Sequence, residues 1–121
     1  MQPAPSLVVS NVMDTTIVAV QTADLRQEAQ LTKIREELVK LVDVLDRKHI
    51  IIDMTRVRFA ASRFLGILAE LAGKSKKIDG WLAMVGLKPE LRKPFELIGL
   101  HKLYKMFATE EEAMAARPRA L

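Results

Sequence analysis

Two β-branched segments open the chain, Leu7-Val-Val-Ser-Asn-Val and Thr15-Thr-Ile-Val-Ala-Val. Such side chains are stiff at χ1 and pack well on a pleated surface, so both segments are expected as strands. Asn11 to Asp14 lies between them and suits a turn, which predicts an opening hairpin. From Ala23 the period becomes helical. Leu31, Ile34, Leu38, Leu41 and Leu45 recur at alternating three- and four-residue steps and therefore share one helix face. Asp24 is the expected N-cap.

Ile50-Ile-Ile follows without polar alternation and ends at Asp53, which predicts a strand buried on both faces of a helix-covered sheet. After a loop over Thr55 to Ala61, the residues Phe64, Leu65, Ile67, Leu68, Leu71 and Ala72 return to helical spacing. Gly73 and Lys74-Ser-Lys-Lys are expected to close that helix, with cations near its negative end. Trp81-Leu-Ala-Met-Val, between Gly80 and Gly86, predicts another buried strand. Pro89 suits the first turn of a short helix that Gly99 ends, while Pro94 should kink or divide it. Leu103-Tyr-Lys-Met-Phe alternates like an edge strand. Thr109 then caps a terminal helix, with Glu112 completing a capping box, and the end from Arg117 should fray.

Strands alternating with helices require right-handed crossovers and a mainly parallel sheet. The expectation is a single α/β domain over 1–121, ordered from about 7 to 116, with four or five strands covered by about four helices.

Composition narrows the chemistry. The chain has 121 residues, 50% of them hydrophobic and 28% charged, which supports one core. Cysteine is absent, which excludes thiol catalysis, Cys-ligated zinc and disulfides. Two histidines, His49 and His101, and four serines, Ser6, Ser10, Ser62 and Ser75, leave few groups for catalysis. The expected role is binding rather than enzymatic, with no metal and no cofactor. No basic leader and no run approaching about 18 apolar residues is present, so no membrane association and a cytoplasmic setting are expected. Lys74-Ser-Lys-Lys is short and lacks interleaved aromatics, so it reads as a solvated helix end rather than a nucleic-acid surface. Asp53 has no partner acid, base or metal ligand nearby in sequence and is expected to organise its loop through backbone N–H bonds.

From Ile50 to Ala115 the sequence resembles a STAS domain, the fold of bacterial anti-sigma factor antagonists. The resemblance rests on Ile50-Ile-Ile-Asp53-Met-Thr, on Ala61-Ser62-Arg-Phe-Leu65-Gly66 at a helix start, and on Leu82-Ala-Met-Val-Gly-Leu. It continues through Leu97-Ile-Gly-Leu and Met106-Phe-Ala-Thr-Glu-Glu-Glu-Ala. It implies that Ser62 stands where the family carries a phosphorylated serine. It also implies a partner that is at once an anti-sigma factor and a serine kinase, or else paralogous STAS proteins. Ala61, Arg63 and Phe64 stand where the family has Asp, Ser/Thr and Gly.

Two readings of Ser62 follow, an N-cap alone or a cap that also accepts phosphate. Arg58, Ala61, Ser62, Arg63, Phe64 and Gly66 form the expected partner surface, with Phe64 either an exposed anchor or a core residue. The functions implied are a phosphorylation-switched anti-sigma factor antagonist or a non-switched scaffold subunit of a stressosome-like assembly, with homo-oligomers possible. Formal net charge is +4, and residues 47–77 carry eight basic side chains against only Asp53 and Glu70. The basic excess therefore maps near Ser62 in sequence and favours an acidic protein partner, or a phosphate held by arginines.

Overall fold

The computed structural model describes residues 5–119. Its central sheet has five strands in the order β1 (Leu7–Val12), β2 (Thr15–Val20), β4 (His49–Asp53), β6 (Trp81–Val85) and β7 (Lys105–Phe107). β1 and β2 form the expected antiparallel hairpin, and every later pairing is parallel. A separate two-stranded ribbon pairs β3 (Asp24–Leu25) with β5 (Phe59–Ala60). Five helices are found among the described residues: α1 (Glu28–Asp43), α2 (Ser62–Lys77), α3 (Pro89–Leu97), α4 (Leu100–Leu103) and α5 (Glu110–Ala116).

The apolar triplet sits at the centre of this arrangement. Ile50 and Ile52 point into the larger core with the helices α1 to α4, and Ile51 points the other way beneath Ala113 of α5. Successive side chains of a strand face opposite sides, so a strand covered on both must be apolar at every position. The parallel strands are added sequentially, β2, β4, β6 and β7, and all three connecting crossovers pack on the same face. Strand order never reverses along the parallel part, so no switch-point crevice opens at Asp53. Three ion pairs lace α1 to α2: Arg35 to Glu70 at 2.5 Å, Arg63 to Glu28 at 2.6 Å and Lys74 to Asp43 at 2.9 Å.

Several local expectations are corrected. Asp24 does not cap α1; it lies in β3, because the Ala23 carbonyl accepts the amides of Arg58 and Phe59 and holds the segment extended. The helix starts at Glu28 after Gln27, without a side-chain cap. Leu45 is outside the helix and exposed, since α1 ends at Asp43 and Asp46 turns the chain at φ 50°. Gly73 does not stop α2, which runs to Lys77 and is closed by Asp79 at φ 55°. Pro94 lies within one continuous nine-residue helix. Leu103 ends α4, so the edge strand begins only at Lys105, after the buried Tyr104.

Candidate functional site

The carboxyl ends of β4 and β6 and the amino end of α2 meet at one end of the molecule. Asp53 terminates β4 and turns the chain: its Oδ1 accepts the Thr55 amide at 2.9 Å and the Thr55 hydroxyl at 2.5 Å. The loop is pinned to β6 by the Met54 amide, which donates to the Val85 carbonyl at 2.9 Å. Gly86 is required beside it. At φ 70° the backbone is left-handed, and a Cβ would lie 2.2 Å from the Thr55 hydroxyl oxygen. Lys88 then donates to the Thr55 carbonyl.

From there the chain crosses to the ribbon. Ala61 donates its amide to the Leu25 carbonyl at 2.8 Å and becomes the residue before α2, extended at ψ 156°. Ser62 is therefore the first helical residue and not the cap. Its side chain is exposed, and no hydrogen bond of its hydroxyl is found among the described residues. The N-cap reading of Ser62 falls, because Ala61 occupies the position from which a side-chain oxygen could turn back onto the helix. The first turn of α2 holds no acidic residue. Its free N–H groups and the positive end of a 16-residue helix are thus left without a negative group of the helix's own.

The remaining predicted residues separate into two sets. Arg58 and Gly66 are exposed and Ala61 is half-buried beside Ser62. Phe64 is 0% exposed and belongs to the main core, so it is not a surface anchor: one helical step beyond Arg63 the face turns inward. Arg63 is partly covered and engaged with α1. Its guanidinium donates to the Glu28 carboxylate at 2.6 Å, the Glu28 carbonyl at 3.0 Å and the Thr32 hydroxyl at 2.9 Å. It clamps two helix starts together rather than reaching toward Ser62.

Two further residues lie at the same end of the domain as Ser62. Phe59, on β5, is 43% exposed, and the Arg26 guanidinium lies 4.5 Å from its ring centroid. Arg26 is also held by Asp24 at 2.9 Å. Phe59 is thus an exposed aromatic under a cation, three residues before Ser62, where Phe64 is buried. Only the pairing of β3 with β5 creates it, and neither dipeptide carries a sequence signal.

Asp53 also faces α5, where it meets Glu110. Hydrogen bonding to Asp53 and partial burial raise the Glu110 carboxyl to about 7, with the Asp53 charge adding to the effect. Burial works against the charged form of Asp53, but hydrogen bonds from Glu110 and Thr55 hold it below the usual carboxylate range. The pair shares one proton through the weakly acidic range.

The segment that builds the parallel strands β4, β6 and β7, the strand-terminal Asp53 and Ser62 at its helix start is matched in sequence by a family model. The STAS domain model covers residues 21–113. The chain belongs to the STAS family. Among its relatives is BtrV of Bordetella bronchiseptica, a candidate anti-sigma factor antagonist. The two are 28% identical over 93 residues, which cover 77% of this chain and 79% of BtrV. A STAS domain protein of Planctomyces limnophilus superposes with a TM-score of 0.82 at 18% identity, covering 94% of this chain and 98% of that one. An anti-sigma factor antagonist from Mycobacterium paratuberculosis gives 0.77 at 24% identity, over 95% and 97% of the two chains. The phosphorylated form of the Bacillus cell fate determinant SpoIIAA gives 0.73 at 22% identity, over 90% and 96%. Among the described residues no helix is long and apolar enough to cross a membrane.

Proposed function

We propose that this STAS domain is an anti-sigma factor antagonist, a cytoplasmic binding protein without catalytic chemistry of its own. It engages an anti-sigma factor that is also a serine kinase, through the end of the domain bearing Phe59, Arg58, Ser62 and Gly66. Phosphorylation of Ser62 is the switch. The observation that carries this reading is the exposed Ser62 hydroxyl, without a hydrogen bond among the described residues, at the start of a helix whose first turn has no acidic residue. A phosphoserine brings about −1.5 to −2 charge, which the helix end and its free N–H groups accommodate in the free protein. A partner surface fitted to a neutral hydroxyl has to desolvate that charge, and binding is lost.

The test uses an anti-sigma serine kinase encoded in the same genome, with ATP, followed by intact-mass measurement and calorimetric binding. One phosphate gained, absent in Ser62→Ala, with weaker binding of the modified chain, is the expected result. Ala61, Arg63 and Phe64, which replace the family's usual residues, favour a second reading, the non-switched scaffold. That reading predicts no phosphate gain and retained binding to paralogous STAS proteins. Failure to bind either partner overturns both.

A further inference from the structure

The segments that lead into the parallel strands reach the end of the molecule opposite Ser62. Register sets Thr15, His49 and Trp81 level with one another, so the β1–β2 turn, the loop after α1 and the loop after α2 lie side by side. The Trp81 amide donates to the Lys48 carbonyl at 2.6 Å and ties two of them together. The end of α4 joins them across a groove of about 500 Å³, lined by Lys76, Asp79 and Gly80 together with Lys102 and Leu103. Arg117, after α5, reaches the hairpin turn through Asp14 at 3.1 Å.

Positive charge collects at this end. The last turns of α1, α2 and α4, the loops after them and the hairpin turn with Arg117 carry eight basic side chains against four carboxylates. That surplus equals the formal net charge of the whole chain, +4. Arg117 and Lys74 are paired with Asp14 and Asp43. Lys40, Arg47, Lys48, Lys76, Lys77 and Lys102 are exposed and make no ion pair among the described residues. Against them stand Asp46 and Asp79, which turn the backbone at φ 50° and 55°, where aspartate is better tolerated than most residues. Apolar side chains protrude among the cations: Met13 is 82% exposed, Val44 65%, Leu103 49% and Leu45 44%. They belong to three separate connections, the hairpin turn, the loop after α1 and the end of α4.

We propose that this end of the domain rests on the anionic surface of a lipid bilayer, with phosphate headgroups among the lysines and the four apolar side chains in the interfacial layer. Charge complementarity selects an anionic occupant, and the kind of side chain selects lipid over an acidic protein. Protein interfaces are depleted of lysine and enriched in arginine and aromatic residues. Here five of the six cations named above are lysine, and the exposed apolar residues are all aliphatic. Apolar tips set singly among long, flexible lysines suit a fluid layer, in which the tips sink while the ammonium groups stay at the headgroups. Among the described residues no helix is long enough to cross a membrane, but a surface contact of this kind needs none. Helix α2 holds the two ends about 24 Å apart, so Ser62 faces away from the bilayer and stays open to its partner.

Vesicle co-sedimentation of the full chain tests this, with phosphatidylcholine alone and with about one-third phosphatidylglycerol added. Binding is expected to the anionic vesicles and not to the neutral ones, and should fall at least about tenfold between about 0.05 and 0.5 M salt. Each lysine near an anionic surface contributes roughly fivefold, so Lys76→Gln with Lys77→Gln should weaken binding at least about tenfold. Val44→Ser with Leu45→Ser should weaken it at least about fivefold. All four positions are exposed, so circular dichroism and melting temperature should match the wild type. The charge-matched control is Lys33→Gln with Arg92→Gln, which should bind as the wild type does. Lys33 is exposed, two turns or more before the end of α1, and Arg92 lines a groove with Gly86, at the other end of β6. No binding to anionic vesicles overturns the proposal and leaves this end to an acidic protein. Equal binding to both vesicle types, a control weakened as much as Lys76→Gln with Lys77→Gln, or binding insensitive to either test pair overturns it as well.

Discussion

The Asp53–Glu110 pair predicts a specific pH dependence of stability. Glu110 titrates near 4.5 when its carboxyl is free and at about 7 in the folded chain. A carboxyl raised on folding contributes its stability fully below the unfolded value and loses it progressively between about 4.5 and 7. A tenfold change in proton affinity corresponds to about 1.4 kcal/mol, so the rise of the Glu110 carboxyl sets a ceiling of about 3 kcal/mol. Glu110 stands at the start of α5 and remains partly in contact with water, which screens the interaction, so about 1 kcal/mol is the working figure. Asp53 runs the opposite way. Its lowered carboxyl stabilises above about 4 and loses that contribution only at lower pH, so it does not mask the decline toward neutrality. Urea denaturation of the wild type and Glu110→Gln across pH 5 to 8 measures the difference. The amide donates to the Asp53 carboxylate at every pH in that range, so the variant should lack the wild type's decline of about 1 kcal/mol. Equal slopes in the two proteins, or a flat wild type, would refute the shared proton.

Phe64→Ala should cost about 3–5 kcal/mol in chemical denaturation, because it opens a cavity in the main core; a loss below about 1 kcal/mol would return Phe64 to the surface. Tyr104 is buried and its hydroxyl donates to the Leu68 carbonyl at 2.7 Å, so Tyr104→Phe should lower stability by about 1 kcal/mol in the same assay. Arg58→Glu and Arg63→Glu should separate. The first should weaken partner binding, read by calorimetry at two salt concentrations, with the melting temperature unchanged. The second sets a carboxylate against Glu28 and should also lower stability by about 0.5–1 kcal/mol.

Much was legible in the sequence because it concerned periodicity. The unalternating Ile50-Ile-Ile could only be a strand covered on both faces, and the three- and four-residue spacing from Leu31 marked the core face of α1. The position of Ser62 at a helix start was readable in the same way, as was the Thr109 cap, whose hydroxyl accepts the Glu112 amide at 3.2 Å. These features depend on neighbours within one turn or one strand, where spacing is geometry.

Whatever depended on distant segments had to wait for the tertiary structure. The strand from Asp24 exists because the loop before α2 donates hydrogen bonds to Ala23, and this overrides the helix-capping preference of Asp24. The basic excess of residues 47–77 looked like one cluster, but α2 spans about 24 Å and divides it. Lys74, Lys76 and Lys77 lie at its far end, while Arg56 and Arg58 stay in the loop leading to Ser62. Arg63, adjacent to Ser62 in sequence, is committed to Glu28, whereas Arg26 reaches the Ser62 end from 36 positions away, over Phe59. Local spacing determined which residues are helical, extended or buried, since backbone geometry repeats over a few residues. Which charges and aromatics share the surface at Ser62 was decided by pairing between segments tens of residues apart, for which a linear pattern carries no distance.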